Sequence, residues 1–119
     1  MKTKPPASQM NSPHAIPRDP TKIPKPVSNP AAALIRDTLE HYHVTQVEAA
    51  RAMNISTAQL SDVIRQRKGV SATIALRFQA CFGVPGDFLI QLQSQHDFRK
   101  AYHTKGAQII REVHVLATP

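Results

Sequence analysis

The chain has little cysteine, little acid and no long apolar run. Its 119 residues include one cysteine and no tryptophan. A single cysteine makes no internal disulfide, which excludes a disulfide scaffold and most thiolate zinc sites. No apolar run approaches the ~18 residues that a membrane span needs. The opening MKTKPPASQM has no apolar stretch behind its lysines, so no signal peptide is expected. Gly-rich phosphate loops, GxSxG and HExxH are all missing, so neither an enzyme nor a cofactor is expected. Acid is scarce: eight Asp and Glu stand against fifteen Lys and Arg, a formal net charge of +7. Such a balance points to a polyanion, and nucleic acid comes first because cations release condensed counterions when they meet phosphates. An acidic protein partner also fits the composition. The length allows one small domain, which buries roughly two-thirds of its unfolded surface, so self-association would add stability.

What is present divides near residue 30. Eight of the ten prolines lie in Met1–Pro30. Lys2, Lys4, Arg18, Lys22 and Lys25 face only Asp19 there, and Ile16 and Ile23 are the only large branched aliphatics before Val27. Proline opposes helix, and so little apolar surface does not offset the ordering entropy. Residues 1–29 therefore read as a disordered, basic, Pro-rich arm. It is either a passive tail or a segment that adds phosphate contacts or orders on a partner.

From Ala31 onward the punctuation is helical, and Pro85 alone interrupts it. Pro30 suits a helix start, with Asn29 or Ser28 as cap. Ala33, Leu34, Ile35, Thr38, Leu39 and Tyr42 repeat at three and four, an apolar stripe over a first helix of about Ala31 to Tyr42. Thr45 with Glu48 is a capping box opening a short helix, Gln46 to Met53, with Val47, Ala49, Ala50 and Met53 inward. Asn54–Ile55 breaks it. Ser56 caps a third helix, Thr57 to about Arg65, with Leu60, Val63 and Ile64 inward. Ser71 caps Ala72–Phe82, and Gly83 stops it. Pro85–Gly86–Asp87 turns into a last helix from Phe88 to near Tyr102, which Gly106 is expected to break. Residues 30–103 thus form the folded domain and 104–119 an extension. Within the extension, Ile109, Val113 and Leu116 suit a helix, whereas Val113–His114–Val115 suits a strand. Its aliphatics either pack back on the domain or meet a dimer or protein partner.

Gln46–Arg65 has the spacing of a helix-turn-helix. Ala50 is small where two helices would cross closely. The second helix presents Thr57, Ala58, Gln59, Ser61 and Asp62 outward as expected base readers. Short side chains let the backbone approach base edges: Thr57 and Ser61 donate or accept, Ala58 meets a thymine methyl, and Asp62 accepts from cytosine N4. Gln46, Ser56, Arg65, Arg67 and Lys68 are the expected phosphate contacts. A generic helical hairpin with a solvated polar face shares the same pattern.

Thr45–Val84, TQVEAARAMNISTAQLSDVIRQRKGVSATIALRFQACFGV, resembles the phage-repressor-type (Xre) helix-turn-helix. More narrowly, Gly69, Val70, Ser71, Ala72, Ala75, Leu76, Arg77, Phe82, Gly83, Phe88, Leu92 and Gln93 are similar to the pattern of HigA-type antitoxins. The resemblance covers about residues 30–100. It implies an all-α, five-helix fold, a homodimer, a palindromic double-stranded DNA operator, and neutralisation of a toxin protein that cleaves mRNA. The family usually has Asn-Gly where this chain has Arg65–Gln66, and Trp where it has Leu89. The basic arm lies outside the pattern.

The remaining residues read plainly. His41 and His43 point about 200° apart on a helix, and His96, His103 and His114 lack acidic or thiol partners at ligand spacing, so no metal site is expected. Cys81 lies on an apolar stretch and reads as a buried thiol. The arm carries +4 of the charge and Ala31–Pro119 the other +3. Tight binding is therefore expected of a dimer whose recognition helices lie ~34 Å apart. The expected function is a HigA-like antitoxin and autorepressor acting on nucleoid DNA in the bacterial cytoplasm. The alternatives are a free-standing Xre repressor without a toxin, and a protein-interaction module that never touches DNA.

Overall fold

Helix starts here are set by short polar side chains, and helix ends by left-handed turns. The computed structural model describes residues 14–116. The first thirteen positions of the expected arm and the last three of the chain lie outside the described residues. The described chain is helical, without strands: α1 Pro30–His41, α2 Gln46–Met53, α3 Thr57–Ile64, α4 Ala72–Phe82 and α5 Gly86–Glu112, after a 3-10 turn at Pro20–Lys22.

Asn29 caps α1, its side-chain oxygen accepting from Ala31 N–H at 3.0 Å, with Pro30 at the first helical position. Thr45 with Glu48, and Ser56 with Gln59, complete reciprocal capping boxes at α2 and α3. Ser71 caps α4. The first three helices end alike. His43, Asn54 and Gln66 have φ of 54, 56 and 61°. Their N–H groups donate to Glu40, Arg51 and Val63 carbonyls, and the next N–H in each case reaches Leu39, Ala50 or Asp62. That paired pattern is the Schellman motif, which satisfies the orphan carbonyls of a helix end.

Val27–Phe98 forms one compact unit, and the described parts of Met1–Pro26 and Arg99–Pro119 form another. In the first, Ile35, Leu60, Val63, Phe78 and Leu89 are the largest fully buried side chains. Burying such a side chain is worth about 1.5–3 kcal/mol. Leu89 therefore fills a core position without the tryptophan usual in the resembling pattern.

Val47 corrects an expectation: it is 50% exposed rather than inward. At about 100° per residue it lies roughly 110° from the mean direction of Ala49, Ala50 and Met53, and Gln46 takes the inward side. The last helix corrects two more. It starts at Gly86 rather than Phe88, and it runs through Gly106 to Glu112. Glycine costs a helix only about 1 kcal/mol. Gly106 is buried where an added Cβ would stand 2.9 Å from Tyr102 and 3.2 Å from Ile23. Beyond Glu112 the described residues have no regular structure, so neither a strand nor a helix extends to Leu116.

In the second unit, residues 14–26 carry one 3-10 turn and a side-chain anchor. Asp19 caps the 3-10 turn by accepting from Thr21 N–H at 2.9 Å and its hydroxyl at 2.7 Å. Arg18 donates to the Ile110 and Val113 carbonyls at 2.6 and 3.1 Å. The last turn of a helix leaves acceptors free and favours a cation, which is what Arg18 finds there.

Candidate nucleic-acid interface

The interface begins with the crossing of α2 and α3. Ala49 and Ala50 are both 1% exposed, and small side chains there let the two helices approach. Asn54 in the left-handed region turns the chain, and Ile55 packs against the core from the turn. Leu60 and Val63 then fix α3 by its inner face. The opposite face is left to solvent. Thr57, Ala58 and Gln59 are exposed, and Ser61 and Asp62 are half-buried. The five expected base readers therefore share the outer side of one eight-residue helix.

Local hydrogen bonds qualify two of them. Gln59 Oε1 accepts from Ser56 N–H at 2.9 Å, and Ser56 Oγ accepts from Gln59 N–H at 3.0 Å. Both side chains thus hold the start of α3. Asp62 is the second case. Its carboxylate stands 3.7 Å from Arg67 Nη1 and 3.9 Å from Lys68 Nζ. Its carbonyl accepts from the N–H groups of the same two residues at 2.8 and 3.1 Å. One acid therefore gathers two cations against the end of α3. Both cations are exposed, and such a surface contact is worth at most about 1 kcal/mol, so a phosphate can compete for each. Arg65 is exposed with no ion pair among the described residues, and Gln46 is half-buried at the first position of α2.

Three residues outside the expected set position this face. Gln93 is 7% exposed. Its Oε1 accepts from Asn29 Nδ2 and from Val70 N–H, both at 2.8 Å, and its Nε2 donates to Asp97 at 2.9 Å. It ties the segment after α3 to α5 and to the start of α1. Gly69 makes room for it, because a Cβ there would meet Gln93 Nε2 at 2.9 Å. Arg77 of α4 donates to the Met53 carbonyl at 3.0 Å, closing the end of α2. Sequence reasoning singled out Gly69, Arg77 and Gln93 only as matches to a pattern. Nothing in the spacing alone says that they brace the turn-bearing helices.

Among the described residues no group of three or more His, Cys, Asp or Glu is placed to hold a metal, and no helix is long and apolar enough to cross a membrane. Cys81 is partly buried against the core.

Capped α2, a left-handed turn, and α3 packed by one face and open on the other define a phage-repressor-type helix-turn-helix domain. No family model matches the chain. Solved structures do. The chain is 30% identical to antitoxin GraA, with 78% of this chain and 99% of that one superposed at a TM-score of 0.70. It is 29% identical to Pseudomonas aeruginosa antitoxin HigA, solved with the higBA promoter, over 77% of this chain and 99% of that one at a TM-score of 0.71. In sequence it is 29% identical over 99 residues to virulence-associated protein A′ of Dichelobacter nodosus, covering 81% of this chain and 83% of the relative. The chain belongs to the HigA-type antitoxins of the Xre-like helix-turn-helix proteins.

Proposed function

We propose that this protein is an autorepressing antitoxin rather than an enzyme. As a homodimer it binds a palindromic operator upstream of its own gene, and it neutralises a toxin protein. Its place of action is the bacterial cytoplasm, on nucleoid DNA. Thr57, Ala58, Gln59, Ser61 and Asp62 read base edges. Gln46, Ser56, Arg65, Arg67 and Lys68 meet phosphates and set the register of α3 in the major groove. The observation that carries this reading is the open outer face of α3, in a fold shared with a HigA solved on promoter DNA.

The test is binding of the purified protein to its own upstream DNA, against a scrambled duplex of equal length, at two salt concentrations. Tight, sequence-dependent and salt-sensitive binding is expected. Co-expression with the product of the adjacent gene is expected to relieve that product's growth inhibition and to yield a complex. Equal weak binding to both duplexes would sink the operator reading. Binding without any toxic neighbour would leave a free-standing repressor.

A further inference from the structure

The net charge of this protein does not lie on its helix-turn-helix unit. Val27–Phe98 contains six Lys and Arg and six Asp and Glu. The remaining chain contains nine cations and two acids, and so holds all of the +7. Among the described residues, ion pairs occur only within Val27–Phe98, where Arg51 and Arg65 have none. Within Val27–Phe98, Arg36 pairs with Asp37, Arg67 and Lys68 pair with Asp62, and Arg77 is used on a carbonyl. In the second unit both acids are held by neutral partners. Asp19 accepts from Thr21, which holds its carboxyl below the usual aspartate value, and Glu112 accepts from Gln108 Nε2 at 2.9 Å. Arg18 is taken by two carbonyls at the end of α5, those of Ile110 and Val113. Six cations remain: Lys22, Lys25, Arg99, Lys100, Lys105 and Arg111. All six are exposed, and among the described residues none is in an ion pair.

These cations are arranged on one body. Arg99, Lys100 and Arg111 fall within a sector of about 120° on α5, a stripe spanning roughly 18 Å along the helix, while Lys105 lies on the opposite side. Arg18 at the end of that helix and Ile23 against Gly106 hold the arm segment beside it, with Lys22 and Lys25 between and beyond the two anchors. An exposed, unneutralised row of this kind attracts a polyanion far more than it stabilises a fold.

We propose that this second unit is a phosphate-binding surface for duplex DNA, supplying the sequence-independent part of binding while α3 supplies the choice of sequence. The proposal rests on the operator-binding reading above. The alternative occupant, an acidic protein, is an outcome of the test.

Two full-length double variants serve: Lys22→Gln with Lys25→Gln, and Lys100→Gln with Arg111→Gln, separately and combined. Affinity is measured across a salt series on the operator and on the scrambled duplex. Each lost phosphate contact lowers the slope of log affinity against log salt by about 0.9, so the combined variant should lose about two to four from its slope per protomer. Operator and scrambled affinities should fall in parallel, with their ratio kept within about twofold, since phosphate contacts carry no sequence information. The melting curve should be unchanged. An unchanged slope, in a protein whose wild type binds its operator with salt dependence, overturns this proposal alone. So does an unchanged slope together with loss of the adjacent gene's product, which assigns the row to an acidic protein. A wild type with no salt-dependent duplex binding overturns the operator reading as well.

Discussion

His43, Asn54 and Gln66 show at the residue scale what local geometry costs. Each takes a left-handed conformation, at φ of 54 to 61°, that an L side chain disfavours by about 1–2 kcal/mol. Asn tolerates it, because its short side chain bonds locally. His43 is exposed and has no such compensation, so His43→Gly should stabilise the fold by about 0.5–1 kcal/mol, raising Tm by roughly 2–8 °C. Gln66 differs. Its Oε1 accepts from Asn29 N–H at 2.9 Å, which glycine would leave without that partner. Gln66→Gly relieves the backbone but loses about 1 kcal/mol of hydrogen bonding, so it should be near neutral by chemical denaturation. A gain at Gln66 equal to that at His43 would show that the Asn29 bond contributes nothing. Gln93 is the opposite case, a buried side chain serving two donors at once. Gln93→Ala leaves Asn29 Nδ2 and Val70 N–H unsatisfied and should cost about 2–4 kcal/mol. A loss under about 1 kcal/mol would mean that water replaces the amide.

At the scale of elements, the sequence was legible where the physics is local. Thr45 with Glu48, Ser56 and Ser71 announced three helix starts, because a capping side chain acts within three residues of itself. Helix ends were harder. The usual signal is glycine, and here two of the first three ends carry His and Gln. Gly106 misled for the converse reason. It is glycine because Tyr102 and Ile23 fill the space a side chain would need, and Ile23 lies more than eighty positions away in sequence. The outward face of α3 was readable from its period, yet the pairing of Asp62 with Arg67 and Lys68 depends on how the helix ends. That pairing makes Asp62 informative. If its carboxylate only reads cytosine, Asp62→Asn should weaken the operator and leave scrambled DNA unaffected. The geometry argues for more: removing the acid frees two cations and removes a negative charge from beside the phosphates. Asp62→Asn should therefore raise affinity for scrambled duplex several-fold and steepen the salt slope by up to about one to two per protomer. Unchanged binding to scrambled duplex would confine Asp62 to base reading.

For the whole molecule, the charge division bears on the proposed order of events on DNA. A helix-turn-helix unit with equal numbers of acids and cations gains little from long-range attraction. In the proposed reading its contribution comes once α3 is seated, through short side chains that need close contact. Sequence choice then depends on seating two copies together. For the proposed homodimer, the half-sites must lie about one helical turn apart, ~34 Å, so that both recognition helices meet the same side of the duplex. Inserting about five base pairs between half-sites turns one of them to the far side. Cooperative binding should then be lost, leaving an affinity close to that for a single half-site. The salt slope per bound protomer should stay nearly the same, because phosphates are present in every register. Operators with altered spacing thus separate the two contributions without changing a residue. If the shifted operator binds as tightly as the native one, the two recognition helices are not rigidly coupled, and sequence choice belongs to the single protomer. If it binds more weakly and its slope collapses with it, the cations act only after α3 is seated, and the neutral unit rather than the basic one governs arrival.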